Sequence, residues 1–595
     1  MQIEREQISE ELCDRFKHRI GDRFSKNYRH ERFLPHGTAQ EVIRNHRGDL
    51  ERLLRSVSEA LAADKKLLGE VANQIEEGLS NILAILLMDR AINDTWALKQ
   101  FLSLILQTNN CMWDPLLLRD SELPISRAHA EHLFEDRGES FFTTQLKFCA
   151  IVLQDKKELN CSDNAQMLCP LPYLDQKEIG SGGFGQVWRV VIEKHHLLSE
   201  NGDSENRKEK LLARKDFKIQ TAFEKELDVL REIMKQPQKH DHLVPLLAIL
   251  QQEANYSLFF PLASCDLSSY FEHAPAPEDL DEKEAIYHRG VALAGALAFL
   301  HDGTNMSCYH LDLKPKNILV YNERTPDEVW KIADFGLSSV RVSTTLQNDG
   351  DSTMAIGVPG TYLAPECAVS GEKVCALSDV WSFGCIFSLV LTFMMEGGDG
   401  IKEFRERRGK GPSGDTFYTE AARPQVSPAV TEWFDHLKEL AFGGPCPGVI
   451  CESLDLLIDK VLLPERKERQ PAKEIETRLK DIWTEISQLE SSTILQDIPS
   501  IDRPRSVFGR LLNRPTFKGS KFSPEGKILV FYNSSQNLIQ GLRRMPRTVT
   551  VQIPGSVTCA SVSNKYICNG LEGNCFQEAP SISNQILFQF PVWVL

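Results

Sequence analysis

The sequence lacks cysteines in the patterns that bind zinc or form redox pairs. Its 15 cysteines are scattered through 595 residues, with no C-x-x-C pair and no histidine spacing typical of a zinc site. The first 30 residues carry charges throughout and lack the apolar segment of a signal peptide. These absences predict reduced thiols in a reducing compartment, and we expect a cytoplasmic protein, with the nucleus as the other option.

Long apolar runs and excess positive charge are also missing. The most apolar stretch, residues 82–88, is followed at once by Asp89 and Arg90, so it is too short to cross a bilayer and predicts a buried helix. The net charge is −15 with a pI near 5.6. Because like charges repel, affinity of the whole chain for nucleic acid is not expected. The sequence predicts no membrane span and no nucleic-acid partner.

The overall composition is typical of a folded protein. Hydrophobic residues make up 42% and charged residues 25% of the chain, so disorder throughout is not expected. A chain of 595 residues is too long for one core and predicts roughly three or four domains. We therefore expect a multidomain protein.

Residues 1–125 show helical periodicity. The sequence T-A-Q-E at 38–41 predicts a capping box. Aliphatic residues then recur at three- and four-residue spacing, at Leu50, Leu53, Leu54, Val57 and Leu61 and again between 67 and 82. Because this stripe is not a sustained heptad repeat, we favour a helical region that packs on itself, with a protein partner as the alternative. The pattern breaks near 114–124, and residues 126–170 are interpreted as an irregular linker.

A glycine-rich motif, I-G-S-G-G-F-G-Q-V, occupies residues 179–187. By itself the G-x-G-x-x-G pattern is weak evidence for any one function, because dinucleotide-binding sites and ordinary glycine turns share it. The β-branched residues at 187–192 predict a strand, whereas a dinucleotide site would open a helix there. The motif thus predicts a hairpin whose backbone can approach phosphate groups, since glycine has no side chain to hold them away.

The stretch Y-H-L-D-L-K-P-K-N-I-L-V at 309–320 resembles the catalytic loop of the eukaryotic protein kinases. Other family-like motifs follow in the family's order: D-F-G at 334–336, G-T-Y-L-A-P-E at 360–366 and D-V-W-S-F-G at 379–384. The ordered set covers residues 177–484. The D-L-K-P-K-N loop and the Gly-Thr pair at 360–361 resemble the serine/threonine type more than tyrosine kinases.

The resemblance implies an α+β bilobal protein-kinase fold at 171–485 that transfers the γ-phosphate of ATP to a protein substrate. In the family, the position of Asp312 takes up or orients the proton of the substrate hydroxyl, and the position of Lys314 steadies the γ-phosphate. The positions of Asn317 and Asp334 hold Mg²⁺. The implied cofactors are therefore ATP and Mg²⁺. An ion pair between Arg469 and Glu366 is implied as a structural feature.

The resemblance also implies a nucleotide site. Lys215 would contact the α- and β-phosphates and pair with Glu226, with Glu224 as the competing partner. We prefer Glu226 because apolar residues beside it form the inward face of a helix. Backbone groups near 261–263 would bind adenine, but Pro261 has no N–H, so the register stays open. The other implied nucleotide contacts are Ile179, Gly180, Ser181, Gly182, Gly183, Phe184, Gly185, Val187, Ala213, Leu262, Ala263 and Leu319.

Leu311 departs from the family pattern, which commonly has arginine before the catalytic aspartate. That arginine pairs with a phosphorylated residue of the activation loop, and leucine cannot. We therefore expect phosphorylation to give little direct gain in rate, unless Arg341 substitutes. The candidate phosphorylation sites are Ser343, Thr344, Thr345, Ser352 and Thr353.

Two alternatives from other functional classes remain: a pseudokinase scaffold that binds partners without phosphoryl transfer, and a signalling adaptor that acts through residues 1–125. Because the positions that carry the chemistry are filled, we favour an active kinase. Purified 170–490 would turn over ATP only if the chain is an active kinase.

The remaining segments are assigned by composition. Residues 397–415 predict a surface loop, similar to an insertion in kinases of filamentous fungi. Residues 486–520 form a basic linker. Residues 521–595 predict a β-rich tail whose F-S-P-E-G-K start resembles a blade of WD-type propellers. Without a Trp-Asp signature or enough strands to close a ring, the tail is at most a partial propeller.

Overall fold

The structure, a computed structural model, describes most of the chain up to residue 496 and short strands beyond it. The described residues are 2–88, 98–99, 101–102, 105–106, 118–161, 164–182, 185–198, 208–252, 254–302, 306–342, 353–354, 360–411, 414–420, 423–441, 447–496, 519–522, 528–533, 538–543, 549–552, 557–562, 567–571 and 574–575. They divide into two compact units, Met1–Met234 with Val244–Ala263 and Lys235–Leu243 with Ser264–Leu595.

The N-terminal part of the first unit is helical. Its helices are α1 (Gln2–Gly21), α2 (Thr38–Asn45), α3 (Arg47–Val57), α4 (Glu59–Ala63), α5 (Lys65–Gly78), α6 (Ser80–Met88), α7 (Arg127–Phe134) and α8 (Gly138–Gln145). The predicted aliphatic stripe lies in one buried cluster that α1 and α8 also join. The stripe therefore packs within this chain, as favoured from the sequence, because its spacing places the apolar residues on one face of successive helices.

Two local predictions in this region are wrong. The capping box at 38–41 does not form, because α2 already begins at Thr38 and its cap is Gly37, which adopts φ 76°. The stretch 126–170 is not an irregular linker. It contains α7 and α8, whose Phe141 and Phe142 are buried in the same cluster as the N-terminal helices.

A six-stranded sheet forms the rest of the first unit. Its strands are β4 (Glu158–Cys161), β5 (Tyr173–Gly182), β6 (Gly185–Ile192), β8 (Lys210–Phe217), β9 (Ala248–Gln252) and β10 (Asn255–Pro261), in the order β4-β9-β10-β8-β6-β5. The pairings are antiparallel except that β4 runs parallel to β9. The accompanying elements are the pairs β1 (Ser25–Lys26) with β2 (Arg32–Phe33) and β3 (Leu153–Gln154) with β7 (Leu197–Leu198), and the helices α9 (Asn164–Met167) and α10 (Gln220–Lys235). Residues before the kinase-like motifs thus supply an edge strand of this sheet.

The second unit is mainly helical, with short sheets. Its helices are α11 (Leu267–His273), α12 (Leu280–Asp302), α13 (Ala376–Gly409), α14 (Pro428–Ala441), α15 (Pro447–Leu456) and α16 (Ala472–Gln496). Its strands up to residue 374 are β11 (Cys265–Asp266), β12 (Met306–Tyr309), β13 (Ile318–Tyr321), β14 (Val329–Ile332), β15 (Ser339–Val342), β16 (Thr353–Met354) and β17 (Lys373–Val374). The catalytic-loop region lies between β12, which pairs with β15, and β13, the central strand of the three-stranded sheet β11-β13-β14.

Helix α13 overturns the prediction of a surface loop at 397–415. The helix kinks at Gly397 and continues to Gly409. Beyond the kink, Phe404 and Arg408 lie one helical turn apart and are buried, and the Phe404 ring stacks on Trp433 with centroids 5.2 Å apart. The charged residues of this stretch suggested a solvated loop, but the spacing of these two residues creates a buried helix face.

Helix α13 is also the one described helix that is long and apolar enough to cross a membrane by length and composition. Of its most apolar window, 94% is buried inside the fold. Such burial is typical of a core helix.

The tail contains short antiparallel strands: β18 (Gly519–Phe522), β19 (Ile528–Asn533), β20 (Leu538–Arg543), β21 (Val549–Gln552), β22 (Val557–Val562), β23 (Ile567–Leu571) and β24 (Asn574–Cys575). Much of the tail lies outside the described residues. The β-rich domain and its partial propeller stay predictions.

Candidate active site

In the first unit, Lys215 and Glu226 form a buried ion pair. Lys215 lies on β8, between β6 and β10, and its Nζ is 2.9 and 2.7 Å from the two carboxylate oxygens of Glu226 on α10. The Glu226 side chain is 2% exposed, so water hardly solvates its charge. Loss of Lys215 would therefore leave a buried carboxylate without its ion-pair partner. Glu224 is exposed and accepts a hydrogen bond from Gln220 at 2.8 Å. The structure therefore pairs Lys215 with Glu226, as preferred from the sequence.

Two of the implied nucleotide contacts, Val187 and Ala213, lie on the same sheet as this pair. Val187 is opposite Lys215 on β6, and Ala213 is two residues before Lys215 on β8. Since side chains alternate along a strand, these three residues share one face of the sheet. Strand β10 ends at Pro261, and the half-buried Leu262 and Ala263 follow it.

The glycine motif forms the predicted hairpin. Strands β5 and β6 pair from Tyr173 opposite Ile192 to Gly182 opposite Gly185, and Gly180 is opposite Val187. A Cβ on Gly185 would lie 2.0 Å from the carbonyl oxygen of Asp216, so only glycine permits this approach of two strands. Ile179 and Ser181 are exposed on β5. Gly183 and Phe184 lie outside the described residues.

In the second unit, the structure brings Asp312, Lys314 and Asn317 together. Lys314 Nζ donates to Asp312 Oδ2 at 2.6 Å. Asn317 Nδ2 donates to the same oxygen at 3.0 Å and to the backbone oxygen of Asp312 at 2.8 Å. The Asp312 side chain remains 19% exposed. One carboxylate is thus held by a cation and an amide while keeping access to solvent.

Strand pairing places Asn317 near the segment that carries Asp334. Strand β13 begins after Asn317, with Ile318 opposite Ile332 at the end of β14 and Leu319 opposite Lys331. The Asn317 carbonyl accepts from the Ala333 N–H at 2.8 Å. Asp334 follows with φ 64°, and Phe335 is buried next to it. The metal candidates therefore lie at the same end of one two-stranded ladder.

These residues fit a hard cation such as Mg²⁺. Because Asn317 Nδ2 donates twice to Asp312, its Oδ1 is the side-chain atom left to bind a metal. Asp334 would add a carboxylate oxygen, and oxygen atoms are the ligands that Mg²⁺ prefers.

Asp379 supports the catalytic-loop backbone through hydrogen bonds, a role that the sequence did not reveal. It lies on α13, is 1% exposed, and accepts from the His310 N–H and the Leu311 N–H, each at 2.8 Å. His301 Nε2 lies 3.0 Å from Oδ2 of the same carboxylate. Leu311 has φ 62°, which an L-residue rarely adopts, so these contacts hold a strained backbone. The signal available in the sequence was the D-V-W-S-F-G motif.

The predicted pair of Glu366 and Arg469 is confirmed. Arg469 Nη1 and Nη2 donate to the two oxygens of Glu366 at 2.7 and 2.8 Å. The Arg469 side chain is fully buried, and Ser378 Oγ donates to Glu366 at 2.8 Å. A bidentate buried pair of this kind links distant segments of the second unit.

Comparisons with known proteins agree with this arrangement. The family model for the protein kinase domain matches residues 173–478, more than half of the chain. The serine/threonine-protein kinase ATG1b of Arabidopsis thaliana is 31% identical over 222 residues, which are 37% of this chain and 27% of that protein.

Two receptor-like kinases from Arabidopsis thaliana also match this chain. The G-type lectin S-receptor-like serine/threonine-protein kinase RKS1 is 29% identical over 223 residues, 37% of this chain and 24% of that protein. The proline-rich receptor-like protein kinase PERK10 is 28% identical over 283 residues, 47% of this chain and 32% of that protein. The chain spans about a quarter to a third of the length of the curated relatives it matches. Ordered motifs, local geometry and the matching domain model together assign the chain to the eukaryotic protein kinase family.

Proposed function

We propose that this chain is a serine/threonine protein kinase that transfers the γ-phosphate of ATP to hydroxyl groups of a protein substrate. The observation that carries the proposal is the cluster in which Lys314 Nζ and Asn317 Nδ2 both contact Asp312 Oδ2, at 2.6 and 3.0 Å. A carboxylate held this way is suited to receive a hydroxyl proton, and the adjacent cation is suited to offset charge on a transferred phosphoryl group.

Each of these residues would have its own role in the transfer. Asp312 accepts a hydrogen bond from the substrate hydroxyl and orients it, while Lys314 contacts the γ-phosphate. Lys215, held in place by Glu226, contacts the α- and β-phosphates. Asn317 and Asp334 would hold Mg²⁺, which supplies neutralisation of phosphate charge when bound. The contribution of this chain is therefore positioning and electrostatic stabilisation.

The test uses the full-length chain, γ-labelled ATP and a mixture of serine-, threonine- and tyrosine-containing peptides. We expect transfer to serine and threonine in the wild type, and at least a 100-fold loss, on the order of one general-base contribution, in Asp312→Asn. Lys215→Met should retain the fold and also lose transfer, because methionine has similar length without the charge. Matched controls are Asp327→Asn and Lys218→Met, which change exposed residues of the same types.

The outcomes separate the proposed kinase from its rival. A wild type that binds ATP with no transfer to any peptide, and no autophosphorylation, would establish the pseudokinase scaffold instead. Transfer that survives in Asp312→Asn or Lys215→Met would show that the assigned residue does not perform its proposed role.

We also propose that activity does not depend on phosphorylation of the activation loop. Leu311 has no charge to pair with a phosphate, and its N–H is held by Asp379 at 2.8 Å within the same unit. Of the five candidate sites, Thr353 lies on β16, and the other four lie outside the described residues. Arg341, the residue that would substitute for the missing arginine, lies on β15.

Phosphatase-treated and untreated enzyme should therefore turn over at the same rate, with site occupancy followed by mass spectrometry. Loss of activity on dephosphorylation, with recovery when phosphates are restored, would refute this independence.

Further proposals concern the rest of the chain. We propose a cytoplasmic or nuclear location, a protein partner for the N-terminal helices, and a β-rich, partly propeller-like tail. Because the aliphatic stripe of the N-terminal helices lies in the internal core, a partner would contact their outer, polar faces. Fluorescence microscopy of the tagged full-length chain tests the location, and cross-linking mass spectrometry tests the partner. The fungal source rests on the sequence at 397–415 alone.

A further inference from the structure

Three side chains with metal-binding atoms, none of them assigned to catalysis, converge in the second unit. Cys265 lies on β11, His273 ends α11, and Glu323 follows β13. One ligand atom from each lies within 4.8 Å of the other two. In particular, Glu323 Oε2 is 3.8 Å from Cys265 Sγ, and Glu323 Oε1 is 3.0 Å from His273 Nε2. We propose that these three side chains bind Zn²⁺.

The spacing of the donor atoms matches that of a tetrahedral zinc site. Zinc–ligand bonds of about 2.3 Å to sulfur and about 2.0–2.1 Å to nitrogen and oxygen put neighbouring ligand atoms roughly 3.3–3.6 Å apart. The distances from the Glu323 carboxylate oxygens, 3.8 Å to sulfur and 3.0 Å to nitrogen, lie on either side of that range, and the sulfur and nitrogen atoms lie within 4.8 Å of each other. Side-chain movements of about 1 Å or less would bring the three ligand atoms to the spacing of a zinc site.

The donor types also select the metal. Thiolate, imidazole and carboxylate together suit Zn²⁺, whereas Mg²⁺ and Ca²⁺ prefer oxygen ligands alone. On binding, the Cys265 thiol gives its proton to solvent and its sulfur bonds to the metal. The thiolate and the Glu323 carboxylate then balance the two positive charges of Zn²⁺. This donor set differs from that of Asn317 and Asp334.

The backbone around the cluster is fixed by its own hydrogen bonds. Cys265 is opposite Val320 in the β11–β13 pair, and the Ser264 N–H donates to the Val320 carbonyl at 2.8 Å. Asp266 caps α11 by accepting from the Ser269 N–H at 3.0 Å. These contacts fix β11, the start of α11 and β13 relative to one another before any metal binds, which reduces the entropy lost on binding.

Solvent reaches the cluster from one side. The His273 side chain is 47% exposed and that of Glu323 is 18% exposed. A water molecule can therefore take the fourth coordination position, as in zinc sites with three protein ligands. Arg324 Nε lies 3.6 Å from Glu323 Oε1, but its side chain is 57% exposed, and an exposed ion pair of this kind competes weakly with a metal.

The test uses the full-length chain, freed of metal by chelation and kept reduced. Co²⁺ is titrated first, because a four-coordinate thiolate site gives a sulfur-to-cobalt charge-transfer band and strong visible absorption. Zn²⁺ is then added to displace Co²⁺. The variants are Cys265→Ser, His273→Gln and Glu323→Gln. Matched controls are Cys451→Ser, a partly buried cysteine elsewhere, and His288→Gln, whose histidine lies 3.5 Å from Glu284.

We expect the wild type and both controls to bind one Co²⁺ with the charge-transfer band, and Zn²⁺ to abolish that band. Cys265→Ser should lose the band, and His273→Gln and Glu323→Gln should each bind Co²⁺ at least tenfold more weakly. Far-UV circular dichroism checks that each variant folds, and the exposed His273 can be changed without disturbing the core. Absence of the band in the wild type, or its persistence in Cys265→Ser, would overturn the proposal. Neither the absorption band nor the Co²⁺ affinity depends on kinase activity, so this experiment can reject the zinc site without rejecting the proposed function, and the reverse.

Discussion

Replacing Asp379 should release the strained backbone of the catalytic loop. The Asp379 carboxylate is 1% exposed and contacts the N–H groups of His310 and Leu311 and the ring of His301. In Asp379→Asn the side-chain NH₂ replaces one oxygen, and it faces an N–H donor that it cannot satisfy. The variant therefore loses at least one hydrogen bond to a charged group and leaves a buried donor without a partner.

The size of the effect follows from these contacts. A hydrogen bond to a charged group contributes about 1.5–3 kcal/mol, and a buried unsatisfied donor costs about 1–3 kcal/mol. These ranges describe overlapping losses, so we expect Asp379→Asn to lower the free energy of unfolding by about 3 kcal/mol. Relaxation of Leu311 from φ 62° should also displace Asp312 and lower phosphoryl transfer by roughly 100-fold, on the scale of a misplaced catalytic group.

Three measurements test this reasoning. Urea denaturation gives the free energy of unfolding, hydrogen exchange with mass spectrometry follows the peptide that contains His310 and Leu311, and labelled ATP follows turnover. The matched control is Asp399→Asn on the same helix, whose side chain is 97% exposed. If Asp379→Asn unfolds at the same urea concentration as the control and its 310–311 amides exchange no faster than in the wild type, Asp379 does not support this loop.

Three further predictions concern other parts of the chain. Asp334→Asn should weaken ATP binding about tenfold more in Mg²⁺ than in metal-free buffer, because a carboxylate ligand is lost. Equal losses of affinity in the two buffers, measured with a fluorescent ATP analogue, would contradict the role of Asp334 as a metal ligand. Gly397→Ala should destabilise the fold by about 1–3 kcal/mol, because φ 63° and ψ −156° are glycine-specific and a Cβ would lie 2.6 Å from that of Ala276. The control is Gly409→Ala, whose added Cβ would have no atom within 4 Å. Equal melting temperatures of the two variants would refute the argument. Burial lowers the pKa of His196 to about 4 from 6.5, so the unfolded chain binds a proton more readily and stability falls as the pH drops from 6.5 towards 4. The wild type should therefore lose about 2 kcal/mol relative to His196→Gln between pH 7.5 and pH 5 in urea titrations, and a pH-independent difference would exclude this linkage.

The sequence by itself determined the features that depend on local spacing. The stripe from Leu50 to Ile82 predicted buried helix faces, because residues three and four apart lie on the same side of a helix. The run at 187–192 predicted a strand and therefore a hairpin, because its β-branched residues favour extended backbone. The order of the kinase motifs predicted the family, since each motif is a short segment whose residue types can be recognised without its neighbours in space. Even the preference for Glu226 over Glu224 came from the apolar residues beside it on one helix.

Tertiary structure decided the features that depend on residues far apart in the chain. Asp379 contacts a loop about seventy residues earlier, so no local pattern revealed its role. The charged stretch after Gly397 is helical because Phe404 meets Trp433 from another helix. The stretch 158–161, expected to be linker, is a strand because β9, some ninety residues later, offers it an open edge. Cys265, His273 and Glu323 likewise come together only through the pairing of β11 with β13. In each case the stabilising partner is supplied by folding, whereas sequence periodicity records only which face of an element is apolar.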